Sequence, residues 1–157
     1  MKVFVKPIGI EKENYIPVKI GTKQSSGIDL AIQKKHTVTA GMLCEKIGLN
    51  AAIILTNNDM TQTVPYMLLP RSSTPFKVTL RQSNMVGIID RDYRDELGWL
   101  VDNVHPTQHC VLKPGMPLVQ LVPLYSDEEI QCVEYVDEFP YPFSESSRKG
   151  GFGSTDK

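Results

Sequence analysis

Polar groups able to do chemistry sit in this 157-residue chain where short apolar runs end. Asp29, in SSGIDLAI, lies between apolar neighbours, and a carboxylate there costs desolvation unless something pairs it. It can cap the turn after Gly27, or hold magnesium directly or through water, because hard cations take oxygen ligands. In PRSSTPFK, Arg71 offers a planar fork of donors, and Ser72 and Ser73 add hydroxyls, so the segment can cradle phosphate or simply form a surface turn. In NMVGIIDRDY the apolar VGII is bracketed by Asn84 and by Asp90 with Tyr93, a pattern that fits a β-hairpin. Backbone groups at Gly87 and Ile89 are placed to read a base edge, and the Asn84 amide both donates and accepts, as such reading requires. Asp90 is the candidate to orient and deprotonate a water, and Tyr93 to lie flat on a sugar. The flanking Arg91, Asp92, Arg94, Asp95 and Glu96 read as an exposed, solvated turn.

Two further segments complete the set. Gln120, inside GMPLVQLVP, is an amide on an apolar strand that needs a partner, and a satisfied core glutamine is the commoner reading. The terminal RKGGFGSTDK supplies Arg148, Phe152, Gly153, Ser154 and Thr155. Glycine-rich backbone with nearby donors can wrap phosphates and an aromatic can stack on a base, although the composition alone is that of a solvated tail.

The elements that must position these groups are short strands. Apolar alternation and turn signals mark Lys2–Lys6, Leu43–Leu49, Ala51–Leu55, Val64–Leu69, Gly87–Ile89, Leu97–Val101, Cys110–Leu112, Leu118–Leu124 and Ile130–Val136. Eleven prolines and eleven glycines, and no long 3.6-residue apolar period, exclude a helical bundle. The one helical expectation is a turn or two after Arg71, capped by Ser72, Ser73 or Thr74 before Pro75. The pattern is that of an all-β sandwich or barrel over residues 1–138. Residues 139–157, rich in Pro, Ser and Gly, read as a flexible arm.

Composition narrows the partners. With 17 basic and 18 acidic residues the chain lacks the footprint of a nucleic-acid binder, so any polyanion it handles is small and held by a few placed groups. No apolar run reaches the ~18 residues of a membrane span, and the chain reads as soluble and intracellular, with no membrane partner. Cys44, Cys110 and Cys132 fit neither a zinc spacing nor a disulfide framework and read as reduced and buried. His36, His105 and His109 form no metal pattern, Trp99 reads as packing, and the Thr56–Thr63 loop reads as exposed.

Taken in order, the five segments resemble the five motifs of the trimeric deoxyuridine triphosphatases, the dUTPases, from Ser25 to Thr155. The third segment and the terminal GGFGST carry the resemblance most specifically. It implies a distorted jelly-roll β-barrel that assembles as a homotrimer, with each site shared between subunits and closed by a neighbour's C-terminal arm. It implies Mg2+-assisted hydrolysis of dUTP to dUMP and pyrophosphate by water attacking the α-phosphorus, which keeps uracil out of DNA and supplies dUMP for thymidylate synthesis. Carried over, Asp29 holds the magnesium through water, Ser72 and Gln120 contact the phosphate chain, and Arg71 supports the site. Asp90 activates the water, Tyr93 leaves no room for a 2′-hydroxyl, and the segment around Asn84 leaves none for a 5-methyl group. Phe152 closes over the base while Ser154 and Thr155 grip the outer phosphates. The chain departs from the family at two points. Arg148 stands four residues before Phe152, where members have the arginine five before and this chain has Ser147; Asp95 stands where glycine is common. Either Arg148 reaches the terminal phosphate through an altered arm, or Lys149 shares the task, or the grip is weaker. The displaced arginine is what a nucleotide-binding regulatory module of the same fold would show. A dCTP deaminase would use a glutamate near the hairpin, where this chain has Asp90, with Glu96 beyond the tyrosine.

Overall fold

The computed structural model describes residues 1–22, 25–125 and 128–145. Among them the chain forms fourteen strands: β1 (Lys2–Pro7), β2 (Lys19–Ile20), β3 (Ile28–Ala31), β4 (His36–Val38), β5 (Glu45–Gly48), β6 (Ala51–Thr56), β7 (Thr63–Val64), β8 (Tyr66–Pro70), β9 (Leu80–Gln82), β10 (Gly87–Ile89), β11 (Gly98–Asn103), β12 (Cys110–Leu112), β13 (Pro117–Pro123) and β14 (Cys132–Tyr135). One short α-helix, α1 (Thr74–Lys77), follows β8, and a single 3-10 turn covers Lys12–Asn14. The strands assemble in the orders β14-β1-β6-β7, β10-β8-β13-β3-β2, β5-β11-β9 and β12-β4, antiparallel except for β1 beside β14. This is the all-β jelly roll expected from the sequence.

Where strands differ from expectation, the cause is local. The Val64–Leu69 run is cut at Pro65, which has no N–H to give a ladder, so β7 joins β6 while β8 joins β13 and β10. β2, β4 and β9 have only two or three residues each, too few for any period to show. Ser73 precedes α1 in helical backbone and makes no side-chain cap; the Thr74 hydroxyl instead donates to the Leu118 carbonyl, tying the turn to β13.

The main core packs Val3, Val5, Ile28, Leu30, Ile53, Leu55, Leu68, Trp99 and Leu121 between the sheets. β1, which reads as half-buried, is covered on both faces. Phe4 points away from that core into a second cluster with Ala52, Ile54, Phe139 and Phe143. A phenylalanine buried to this degree contributes about 2 kcal/mol. The packed body therefore runs to Phe143, through residues the sequence assigns to the arm. Two smaller expectations also change. Of the cysteines only Cys110 is buried; Cys44 is exposed and Cys132 intermediate. The Thr56–Thr63 loop is exposed at its tip, but Thr56 and Thr63 themselves are buried. No helix among the described residues is long and apolar enough to cross a membrane.

Candidate active site

Apart from Ser73, the described candidate residues fall into two cavities that share no lining residue. The first, about 280 Å³, is lined by Gly21, Ser25, Ser26, Gly27, Asp29, Arg71, Ser72 and Gln120. It is built inside one sheet: Asp29 on β3 faces Gln120 on β13, which faces Leu69 on β8, and Arg71 follows β8 directly. Arg71 Nε meets Asp29 Oδ1 at 2.9 Å, and Arg71 Nη1 donates to the Pro117 carbonyl at 3.3 Å. The guanidinium thus turns partly inward, offsetting the cost of placing Asp29 on an apolar strand. Gln120 Nε2 donates to the Pro70 carbonyl at 3.3 Å, so this amide is partnered yet lines the cavity. Gly27 gives it room: a Cβ there would stand 2.6 Å from Gln120 Oε1 and 3.2 Å from the Leu121 carbonyl. Ser73 does not line the cavity.

The second cavity, about 130 Å³, is lined by Asn84, Gly87, Ile89, Asp90 and Tyr93, together with Leu68, Gln82, Ile88, Gly98, Trp99 and Leu100. The hairpin expected around VGII does not form. β9 pairs with β11, and β10 pairs with β8, so the chain changes sheets across residues 83–86 and the cavity occupies the cleft between the two sheets. The turn is tight: the Val86 N–H donates to the Asn84 carbonyl, and Met85 between them has φ 57°. Gln82 and Trp99 were not legible as site residues, although an isolated glutamine between Arg81 and SNM, just before VGII, marks the place. Trp99 packs as expected, 1% exposed, and also backs the cavity.

The charged stretch after Asp90 is less solvated than its composition suggests. The Tyr93 hydroxyl donates to the Glu96 carbonyl at 2.9 Å, and Glu96 Oε1 accepts from the Asn50 N–H at 2.9 Å, fixing the tyrosine from behind. Arg94 donates to the carbonyls of Arg91, Tyr93 and Phe143, and its guanidinium lies 6.0 Å from the centre of the Phe139 ring. Burial lowers its pKa from the ordinary arginine value. Arg91 and Asp95 are exposed as expected. Asp90 is exposed at the cavity mouth, where a water can reach it. Arg148, Phe152, Gly153, Ser154 and Thr155 lie outside the described residues.

Both volumes lie below the ~300–1,000 Å³ of sites that enclose a whole drug-sized ligand. Each cavity suits a part: one is polar with a cation and hydroxyls, the other mainly apolar with an amide and a carboxylate at its mouth. An all-β jelly roll thus carries a divided candidate site. No family model matches the chain. Across 99% of its length it is 32% identical to the deoxyuridine 5′-triphosphate nucleotidohydrolase of Burkholderia thailandensis, covering 98% of that protein. The corresponding protein of Psychrobacter arcticus is 33% identical over 98% of this chain and 94% of its own. Among solved structures, the dUTPase of Staphylococcus bacteriophage 80alpha matches with a TM-score of 0.61 at 19% identity, over 88% of this chain and 97% of that one. A mutant dUTPase from phage phi11, described as coordinating a structural Mg(II) ion, matches with a TM-score of 0.59 at 20% identity, over 87% and 97%. The chain belongs to the deoxyuridine 5′-triphosphate nucleotidohydrolase family.

Proposed function

We propose that this chain hydrolyses dUTP to dUMP and pyrophosphate, in sites assembled from more than one copy of the chain. The observation that carries the reading is the sorting of the candidate residues: Asp29, Arg71, Ser72 and Gln120 line one cavity, and Asn84, Gly87, Ile89, Asp90 and Tyr93 the other. The first suits a phosphate chain, the second a pyrimidine deoxynucleoside.

The strand register supports sharing between chains. Asp29 lies on the row of Leu69, whereas Asp90 follows Ile89, which pairs with Tyr66. Two strands, β8 and β13, separate β10 from β3. Three strand spacings of ~4.8 Å and about four residues at ~3.3 Å each put the two carboxylates roughly 20 Å apart over the sheet. An attacking water and the phosphorus it meets are about 3–3.5 Å apart, and the ion on the same phosphate chain must be close by. Asp90 of one chain and Asp29 of another meet that need in a cyclic trimer, which the family resemblance implies.

In this reading the Asn84 amide and the backbone at Gly87 and Ile89 pair with the base edge. Tyr93, fixed by Glu96, closes over the sugar. Asp90 accepts a proton from the water and aligns it on the α-phosphorus. Ser72 and Gln120 donate to the phosphate oxygens, stabilising charge as it develops. The donor set fits magnesium: Asp29 brings one carboxylate to the cavity, and Mg2+ bound to a phosphate chain typically needs only one or two carboxylates and keeps its waters. Asp29 would hold it through water, and it would supply charge neutralisation on the phosphate oxygens. The arm residues Arg148, Phe152, Gly153, Ser154 and Thr155 would complete the grip from a third chain. The test is pyrophosphate release from dUTP, dTTP, dCTP and UTP with and without magnesium. Release confined to dUTP and dependent on magnesium is expected; ammonia from dCTP, or tight binding of dUTP without turnover, would overturn the reading.

A further inference from the structure

Gln82 bridges the two sheets that form the nucleoside cavity. Its backbone is on β9, paired with Val101 of β11. Its Nε2 donates to the Leu68 carbonyl on β8 at 3.0 Å and to the Met85 carbonyl at 3.2 Å. Its Oε1 accepts from Trp99 Nε1 at 3.1 Å. An indole N–H only donates and a carbonyl only accepts, so this is the one orientation of the amide that satisfies all three partners. With both amide hydrogens committed, Gln82 lines the cavity without a donor to spend on a base.

The Met85 carbonyl matters most among its partners. Met85 is a non-glycine residue at positive φ, it is 82% exposed, and the residues on either side are joined by an i to i+2 hydrogen bond. Such a turn is strained for an L-residue and persists only where its surroundings hold it. The Met85 side chain packs on little, so the Gln82 amide on its carbonyl is a restraint that faces the cavity. Ser83, the next residue, is held independently: its hydroxyl donates to Asp102 Oδ1 and its N–H to the Leu100 carbonyl. Both residues at the entrance to the turn are therefore pinned, and Asn84 emerges from a fixed start.

We propose that Gln82, locked by Trp99, is a positioning residue that sets the cleft width and the strained Asn84–Val86 turn, and thereby determines which pyrimidine the cavity admits. This rests on the dUTP reading for the identity of the ligand, but the brace itself does not.

The variants are Gln82→Met, which keeps the length and removes every side-chain hydrogen bond, and Trp99→Phe, which removes the indole donor together with one ring. In Gln82→Met, KM for dUTP is expected to rise about tenfold while kcat stays within about threefold, as for loss of uniform binding through one hydrogen-bonded contact. Discrimination between dUTP and dTTP should fall in parallel, and Trp99→Phe should shift both the same way by less. Adding Met85→Gly to Gln82→Met removes the strain the amide restrains and should recover discrimination in part, a rescue that general destabilisation would not give. Amide hydrogen exchange over residues 83–87 of the free protein reads the brace without substrate. Faster exchange in Gln82→Met, reversed by Met85→Gly, supports it even if the wild type does not turn over dUTP, a result that would instead remove the function proposed above. Unchanged exchange and unchanged KM in a folded Gln82→Met protein would overturn the inference.

Discussion

The two cavities are built by different means. The cavity proposed to take the phosphate chain lies within a single ladder, where Asp29, Gln120 and Leu69 stand opposite one another on paired strands and Arg71 closes the row. Its geometry follows from strand register, and its polar groups hold each other. The cavity proposed to take the nucleoside lies in a cleft between sheets, across a turn that no ladder supports, and is set by side chains reaching from elsewhere: Gln82, Trp99, Glu96 and Asp102. A register-built site tolerates change around it and is sensitive to what enters its row. A brace-built site is sensitive at residues that touch no ligand.

The largest expected effect tests the chemistry on the nucleoside side. Asp90→Asn keeps shape and removes the base, so kcat should fall about a thousandfold with KM little changed. Steady-state kinetics on dUTP measure this, and near-normal turnover would remove Asp90 from its role. On the phosphate side, Gly27→Ala drives a Cβ against Gln120 Oε1 and the Leu121 carbonyl. The amide must move, and KM for dUTP should rise about tenfold, the cost of one hydrogen bond to a charged group. Binding of deoxyuridine, which carries no phosphate, should be unaffected, as calorimetry would show; an equal loss for both ligands would mean that the two sides are not separable.

A third substitution probes the segment behind both. Phe143→Ala empties part of the second core cluster and removes cover from Phe4, at a cost of about 3 kcal/mol in chemical denaturation. A loss below about 1 kcal/mol would return residues 139–143 to the arm. The smallest effect is a pH dependence. The Ser83 hydroxyl, and then the Cys44 N–H, hold the Asp102 carboxyl below its ordinary 3.8. Because the folded value is depressed, the clamp on Ser83 is complete above about that pH and is lost as pH falls through the lower folded value. NMR titration of the Ser83 and Cys44 amides should show a shared transition below the ordinary carboxylate range, and a transition above it would break the clamp assignment.

The sequence was informative where motif and register coincide. Asp29, Arg71, Ser72 and Gln120 are each a polar group beside an apolar run, and pairing alone brings them together. β10 and β12 were legible to the residue, β10 because Asn84 and Asp90 bracket its apolar run and β12 because it lies between the turn signals His105-Pro106 and Lys113-Pro114-Gly115. What was not legible depends on distant partners. VGII reads locally as half of a hairpin, and only the pairing of β9 with β11 reveals that the chain leaves one sheet for another. Gln82 and Glu96 look like solvated polar residues until Trp99 and the Asn50 N–H are known to face them. Phe139 and Phe143 sit in a Pro- and Ser-rich stretch, and their burial depends on Phe4 at the other end of the chain, a pairing that no local pattern encodes.

The central claim is that the two halves serving one dUTP come from different copies of the chain. Mixing inactive Asp29→Asn and Asp90→Asn proteins after denaturation and joint refolding tests it most directly. If each site joins the phosphate half of one copy to the nucleoside half of the next, equal mixing should restore about a quarter of wild-type sites, because each half is intact in half of the copies. Recovery of dUTP hydrolysis near that level is the expected result; a mixture as inactive as either variant alone, in assemblies shown to contain both, would contradict the account.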